Sequence, residues 1–341
     1  MEREKLLFIY PKLFTFVRTD IELLSSHYHI ITVDQNWGNK FLLPFNLLYQ
    51  FFFLLFNIHK AHKILISFGG YWSLLPSFLG NFFGKKVSII VHGTDCVHFP
   101  QIKYGSLRNP LVRWFIHKTY KLVDIILPVS ESLVYTENNY YTERKLEFGY
   151  NYHLDNIQTP YKVVPNGLII NDWQRDDVEK INNTFITVMN ASQLKRKGAD
   201  IIIEAAKHSP HYTFYFAGID TINSISENVI CLGKLSPKEL KHWYSKTQFY
   251  LQLSNFEGFG VAICEAMLCN CIPIVSNVNF LPYIVGESGF VLKKRDSQQL
   301  KDLIEVAMKS DINTLEAKAR KRIIEEFSAS RRKEMLINVI K

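Results

Sequence analysis

The sequence predicts an α/β protein built from two Rossmann-like, doubly wound domains. Three observations lead there. Short, continuously apolar, β-rich runs alternate with helical stretches. The same alternation appears twice, on either side of one polar segment. The 341 residues suffice for two or three domains, each with its own core. Strands covered by helices on both faces read as unbroken apolar runs, which is the pattern of a parallel sheet.

In the first half the strand candidates are residues 5–10 (KLLFIY), 29–34 (HIITVD), 63–68 (KILISF), 86–92 (KVSIIVH) and 124–130 (DIILPVS). The run KVVPNG at 162–167 closes this half with a Pro-Asn-Gly turn signal. The polar stretch 171–183, NDWQRDDVEKINN, reads as a linker. The second half repeats the style, with strand candidates at 184–190, 212–218, 228–233, 248–254 and 271–277. A helix opens at SPKELKHWYSK, with Ser236 as N-cap, Pro237 in the first turn and Glu239 as an early acid. The tail from Asn313 on is helical and highly charged.

Composition narrows the function. Apolar content is 47% and charged content 21%, which is globular and not disordered. The net charge of +8 is spread over both halves. That suits a phosphate-bearing ligand or an anionic membrane surface better than a dedicated nucleic-acid groove, so no nucleic-acid partner is expected. Five cysteines, an odd number without a paired framework, point to a reducing cytosol. Cys264, Cys269 and Cys271 read as small buried hydrophobes, because no His or Cys follows at metal-finger spacing, and no metal site is expected. No signal peptide is expected from the mixed-charge opening MEREK. Residues 41–58, FLLPFNLLYQFFFLLFNI, are too interrupted for a membrane span. Their expected place is a helix buried under a sheet. The alternative is a helix lying in a membrane interface, supported by the flanking His59, Lys60, His62 and Lys63.

Open parallel sheets bind ligands at the carboxyl ends of their strands, so the site is expected in a cleft between the two domains. Two loops that follow strands carry suitable chemistry. In QLKRKG, 193–198, three cations precede a helix, and free helix amides add to their pull on an anion. In EGFGVAICEAM, 257–267, Glu257 and the flexible Gly258 and Gly260 stand before the apolar helix 261–269, with Glu265 more than a turn inside it. Carboxylates beside exposed amides suit a polyhydroxylated ligand, one accepting from hydroxyls while the other donates to oxygens. No Walker motif and no G-x-G-x-x-G occurs, so triphosphatase and dehydrogenase readings lack their fingerprint.

The segment SNFEGFGVAICEAM closely resembles the signature of the retaining family-four glycosyltransferases, whose two glutamates are separated by seven residues. VHGTD (91–95), PVSESL (128–133), VVPNGL (163–168), QLKRKG and GESGFVLKKRDSQQL (286–300) are similar to further landmarks of that family, in its order. The resemblance implies a GT-B fold. Residues 1–170 would form an N-terminal acceptor domain, and 171–323 a C-terminal domain for a nucleotide-sugar donor. A final helix, 324–341, would pack back on the first domain. It further implies that Lys197 neutralises the donor diphosphate and that Glu265 binds the ribose. Glu257 would hold the donor sugar near the reacting centre, together with the amides of Gly258, Phe259 and Gly260. His92 would face the sugar from the opposite domain. Where the family usually has Arg this chain has Gln193, so Arg196 or Lys195 would have to substitute. Asn270 replaces the usual Gly after the helix but tolerates a left-handed turn. NFLPY (279–283) replaces a Gly-Gly-x-Pro-Glu loop, with Tyr283 in place of the acid.

The resulting expectation is a cytoplasmic, metal-independent hexosyltransferase, needing no cofactor beyond a UDP- or GDP-type sugar as donor. Its acceptor would be a glycan or lipid-linked glycan of surface polysaccharide synthesis, with possible peripheral contact with an anionic membrane. A non-catalytic sugar- or nucleotide-binding partner subunit and a sugar-nucleotide epimerase on the same fold are the competing readings.

Overall fold

The computed structural model describes residues 3–222 and 226–341. The chain divides into two compact units. Unit 1 comprises Met1–Thr136, Glu147–Gly167 and Ala329–Lys341; unit 2 comprises Glu137–Leu146 and Leu168–Ser328.

Unit 1 is a five-stranded parallel sheet of β1 (Lys5–Ile9), β2 (His29–Thr32), β3 (Lys63–Ser67), β4 (Lys86–Val91) and β5 (Ile125–Pro128), in the order β2-β1-β3-β4-β5. Leu7 pairs with Ile31 on one side and Ile64 on the other. The apolar runs are buried outright, as expected of strands covered on both faces: Leu6, Leu7, Phe8, Ile64, Leu65 and Ile66 are all 0% exposed. The helices are α1 (Thr15–Ser25), α2 (Leu43–Asn57), α3 (Tyr71–Phe82) and α4 (Pro110–Leu122). Local chemistry sets the start of α4. Asn109 Oδ1 accepts from the amides of Leu111 and Val112, and Pro110 occupies the first turn.

Helix α2 corrects an expectation. It packs beside α3 but is not buried: among its residues only Gln50 and Leu54 are buried, while Phe45, Leu48, Tyr49, Phe52, Leu55 and Phe56 are exposed. Along the sequence Asn46, Gln50 and Asn57 fall on one narrow helical stripe, and the structure turns part of that stripe inward. Gln50 Nε2 donates to the Trp72 carbonyl at 3.0 Å.

A short ribbon of β6 (Thr136–Asn138) and β7 (Leu146–Phe148), followed by the single turn α5 (Tyr150–His153), lies where the chain first passes between the units. Unit 2 contains β8 (Ile181–Val188), α6 (Ala199–Lys207), β9 (Thr213–Ala217), β10 (Val229–Gly233), α7 (Pro237–Lys246), β11 (Thr247–Gln252), α8 (Val261–Leu268), β12 (Ile272–Ser276), α9 (Leu281–Val285), β13 (Phe290–Leu292), α10 (Ser297–Met308) and α11 (Ile312–Glu326). Its strands form one parallel sheet in the order β10-β9-β8-β11-β12-β13. The expected linker is shorter than 171–183, because β8 already starts at Ile181, where the strand is still exposed. The start of α7 is the reciprocal cap that the sequence suggests. Ser236 Oγ accepts from the Glu239 amide at 3.3 Å, and Glu239 Oε2 accepts from the Ser236 amide at 2.8 Å.

The chain ends in α12 (Ala329–Ile340), which belongs to unit 1 and packs against α1. A buried ion pair fastens it: Arg332 forks onto Asp20 at 2.5 and 2.7 Å and also donates to the carbonyls of Val164 and Pro165.

Candidate active site

In unit 2 the strand order reverses between β8 and β11, with β9 and β10 on one side and β12 and β13 on the other. Loops leaving adjacent strands diverge at such a point, which is where open α/β sheets take ligands. The two loops there are 189–198, carrying the cationic turn, and 253–260, carrying Glu257.

Both loops are locked to one another. Asn255 is fully buried; its amide donates to the Arg196 carbonyl at 2.7 Å, and its Nδ2 donates to the Lys195 carbonyl at 2.7 Å. Its Oδ1 accepts from Arg295 Nε at 3.0 Å, and Arg295 in turn forks onto Asp200 at 2.7 and 2.5 Å. At Gly198 (φ 71°) a Cβ would lie 2.3 Å from the Leu253 carbonyl oxygen, so the loops approach this closely only because the residue is glycine.

Glu257 sits at the centre of this arrangement. Its Oε2 accepts from Gln252 Nε2 at 2.8 Å, Arg196 Nη1 at 3.2 Å and Ser254 Oγ at 3.2 Å, while its amide donates to Asn279 Oδ1 at 3.2 Å. Burial pushes its carboxyl pKa up, but the charges of Arg196 and Lys197 outweigh that and hold it below the usual range. It is therefore ionised at neutral pH. A carboxylate offers about four acceptor positions, so three donors at one oxygen leave capacity for a ligand hydroxyl.

Lys197 is half-buried, and its ammonium donates to the Val188 carbonyl at 2.8 Å. Burial pulls its pKa down to about 8, against the opposing charge of Glu257. Glu265, half-buried in α8, is pushed up to about 8 by burial, partly offset by the Lys197 charge. The Lys197 ammonium thus acts on both carboxylates. Helix α8 starts from Gly260, whose φ of 111° is a left-handed conformation. The first amides of a helix have no acceptor inside it. Among the described residues, the amides of Phe259 and Gly260 just ahead of it also donate to no protein acceptor. The Phe259 ring is buried against Phe280 and Phe327, at 5.9 and 5.5 Å, so this residue offers a ligand its backbone alone. Gly258 lies buried in the same turn.

Other expected residues lie differently. Gln193 turns back on its own loop, its Oε1 accepting from the Asn190 amide at 3.1 Å. The Lys195 side chain is exposed. Asn270 takes φ 65° and Asn279 φ 50°, so both occupy left-handed positions that a glycine would otherwise fill. Tyr283 is exposed beneath the Arg322 guanidinium, 5.4 Å from the ring centroid.

His92 belongs to unit 1. Its ring lies against Phe68 and Phe16, at 4.3 and 4.6 Å, and Nε2 shares a hydrogen bond with Ser67 Oγ at 3.0 Å. Nδ1 is buried without a protein partner among the described residues. Burial, and after it the charge of Arg332, pulls its pKa well below the ordinary value, so the imidazole is neutral. The loop around it is held by Asp95, which is fully buried. That carboxylate accepts from the amides of Gly69, His92 and Gly93 and from the Tyr120 hydroxyl. Unit 1 also reverses strand order, between β1 and β3, and a cavity of about 690 Å³ opens there. Phe14, Trp37, Phe68 and Trp72 wall it, with Lys12 and Asp34 among its polar groups. Phe68 itself holds φ 62°, a strained conformation for a bulky residue.

Sequence reasoning gave no role to Gln252, Asn255, Asn279, Arg295 or Asp95. Asn255, Asp95, Asn279 and Arg295 all lie inside quoted motifs, and for Asn255 and Asp95 a small amide or acid beside a chemical residue was the available signal. Arg295 gave none, because its partners Asn255 and Asp200 lie far away in sequence.

The fold is of the GT-B type: two units, each a parallel Rossmann-like sheet with a reversal of strand order. Residues 171–327, a little under half of the chain, match the family described as "Glycosyl transferases group 1". Relatives include an uncharacterized 41.2 kDa protein in the cps region of Klebsiella pneumoniae, 28% identical over 136 residues. Another is the O-antigen chain mannosyltransferase B of Escherichia coli, 37% identical over 65 residues. These matches cover 37% and 19% of this chain, and 37% and 17% of the relatives' own lengths. A Methanocaldococcus jannaschii protein described as an uncharacterized glycosyltransferase is 23% identical over 309 residues, covering 83% of this chain and 80% of its own. Among solved structures, Anabaena HepE in complex with UDP-glucose superposes with a TM-score of 0.72 at 15% identity, covering 98% of each chain.

Proposed function

We propose that this chain is a retaining, metal-independent hexosyltransferase. It moves a sugar from a UDP- or GDP-type donor to a glycan or lipid-linked glycan, in the cytoplasm, during surface polysaccharide synthesis. The observation that carries the reading is the ionised Glu257. It is fixed by Gln252, Arg196 and Ser254 beside an unpaired helix N-terminus and within the field of Lys197. The names of the Klebsiella and Escherichia relatives support a polysaccharide context, and the UDP-glucose held by the Anabaena structure supports a nucleotide-hexose donor.

Glycosyl transfer develops positive charge on the sugar ring and negative charge on the departing diphosphate. Lys197 and the first amides of α8 stabilise the leaving group most when its charge is greatest, which favours the transition state over the ground state. Glu257 fixes the donor sugar's hydroxyls near the cationic centre, and Glu265 receives the ribose. His92, neutral and with Nδ1 unpartnered, offers a hydrogen bond on the acceptor side.

Donor turnover by purified Glu257→Ala and Glu257→Gln tests the reading. We expect kcat to fall on the order of 100-fold or more with nucleotide binding retained; ordinary turnover in both variants overturns the role of Glu257. A second reading, a non-catalytic binder, is favoured by the way Gln193 caps its own loop while Arg196 is committed to Glu257. Slow donor hydrolysis by the wild-type protein excludes it, and total absence of hydrolysis and transfer supports it.

A further inference from the structure

Helices α2, α3 and α4 of unit 1 form one layer that is built inside out. Its interior is unusually polar. Gln50, Ser73, Ser77 and Thr119 are all 0% exposed, and bonds among them include Ser73 Oγ to Thr119 Oγ1 at 2.8 Å and Ser77 Oγ to the Ser73 carbonyl at 2.7 Å, while Gln50 Oε1 stays buried without a partner among the described residues. The outer surface is apolar. Phe45, Phe56 and Phe82 are 69%, 67% and 74% exposed, with Phe52, Phe78 and Trp114 about half exposed. Between the three helices runs a groove of about 540 Å³, lined by Phe51, Leu75, Phe78, Trp114, Phe115 and neighbouring apolar side chains, with Lys118 on it. A helix layer that faced only water would have the reverse polarity.

Charge identifies the occupant. Between Asp34 and Asp124 the only carboxylate is that of Asp95, which is buried, whereas ten lysines and arginines fall in that stretch. Lys60, Lys118 and Lys121 are exposed on α4 or at the end of α2. An apolar surface whose three helices carry no carboxylate, edged by cations, complements an anionic bilayer, whose headgroups meet the cations while its chains receive the rings. A hydrophobic protein partner would not require the absence of carboxylates over so long a stretch. No described helix is long and apolar enough to cross a membrane, so the contact is one of lying on the surface.

We propose that the outer surface of α2–α3–α4 docks this protein on anionic lipid bilayers, with an acyl chain entering the groove beside Trp114. The inference does not depend on the transferase reading. It is tested with full-length protein and vesicles of phosphatidylglycerol and phosphatidylcholine, against phosphatidylcholine alone. The protein is expected to float with the anionic vesicles only. Lipids brominated on their acyl chains are expected to quench tryptophan emission, and Trp114→Phe to remove most of that quenching. Lys118→Glu with Lys121→Glu is expected to lower partition by at least about tenfold, and Phe78→Ser with Phe82→Ser likewise. These side chains are exposed, so an unchanged melting temperature certifies folding. Glu257→Ala is expected to bind vesicles as the wild type does, which separates this proposal from the catalytic one. Equal partition to both vesicle types, flotation without quenching, or a dimer in light scattering that the Phe78/Phe82 variant dissolves while vesicles bind nothing, would each overturn it.

Discussion

Lys197 loses its charge at a pH where an ordinary lysine keeps it, because burial holds its pKa at about 8. If its ammonium holds the donor diphosphate, affinity for UDP or GDP falls as pH rises from 7 to 9. Lys197→Arg, whose guanidinium stays charged, should flatten that profile in titration calorimetry at matched ionic strength. An equally steep fall in the arginine variant would remove Lys197 from the diphosphate. Glu265 makes a prediction of the opposite kind. Burial raises its carboxyl from the ordinary value of 4.5 to about 8, so over that interval the folded state binds a proton that the unfolded state has released. Stability from this group is therefore fullest below 4.5 and is lost as pH rises through 8. In urea titrations between pH 5 and 8, Glu265→Gln should lose that downward slope. Glu257, Gly258, Gly260 and Glu265 were legible in the sequence because they form one short run whose spacing carries meaning. Their supports were not. The contacts of Asn255 with Lys195 and Arg196, and of Asn279 with Glu257, bridge loops far apart in the chain, and nothing local in sequence records such a bridge.

Strands and caps behaved differently from helix faces. Continuous apolar runs identified β1, β3, β4, β9, β11 and β12 within a few residues, since a strand buried on both sides leaves its mark on every position. For α2, periodicity revealed a polar stripe but not which way it points. Whether Gln50 faces water or Trp72 is a tertiary matter. The start of α8 is more constrained. Gly260 holds φ 111°, and a Cβ there would sit 3.0 Å from both Ile263 Cγ2 and Leu281 Cδ2. Gly260→Ala should therefore cost about 1–3 kcal/mol in unfolding free energy, from the left-handed backbone alone. It should also weaken nucleotide binding, because the amides at 259–261 must shift with it. A variant of native stability and native UDP affinity would show that the backbone there adapts freely. Asn255→Ala tests the loop clasp by the same measurements, and the expected signature is lost donor affinity exceeding lost stability.

At the scale of the whole chain, the C-terminal helix is assigned to unit 1 although every element just before it belongs to unit 2. Its hold on unit 1 is specific. Leu336, Val339 and Ile340 of α12 are buried, and Arg332 and Asp20 are 2% and 1% exposed in a forked pair that joins α12 to α1. Removing one member of such a pair strands the other charge in a dry environment, a loss of about 3–5 kcal/mol, whereas replacing both by apolar residues is far milder. Arg332→Met should thus destabilise unit 1 strongly, and Arg332→Met with Asp20→Leu should recover much of the loss. Deleting residues 329–341 removes Arg332 from Asp20 and uncovers the part of α1 that α12 packs against. Hydrogen exchange resolves where the damage falls. In the deletion, amides of β1 and α1 should lose protection, while those of β8 and β11 keep it, because no residue of α12 belongs to unit 2. Uniform loss of protection across both sheets would mean that the units unfold as one cooperative body, and that the last helix stabilises the chain as a whole.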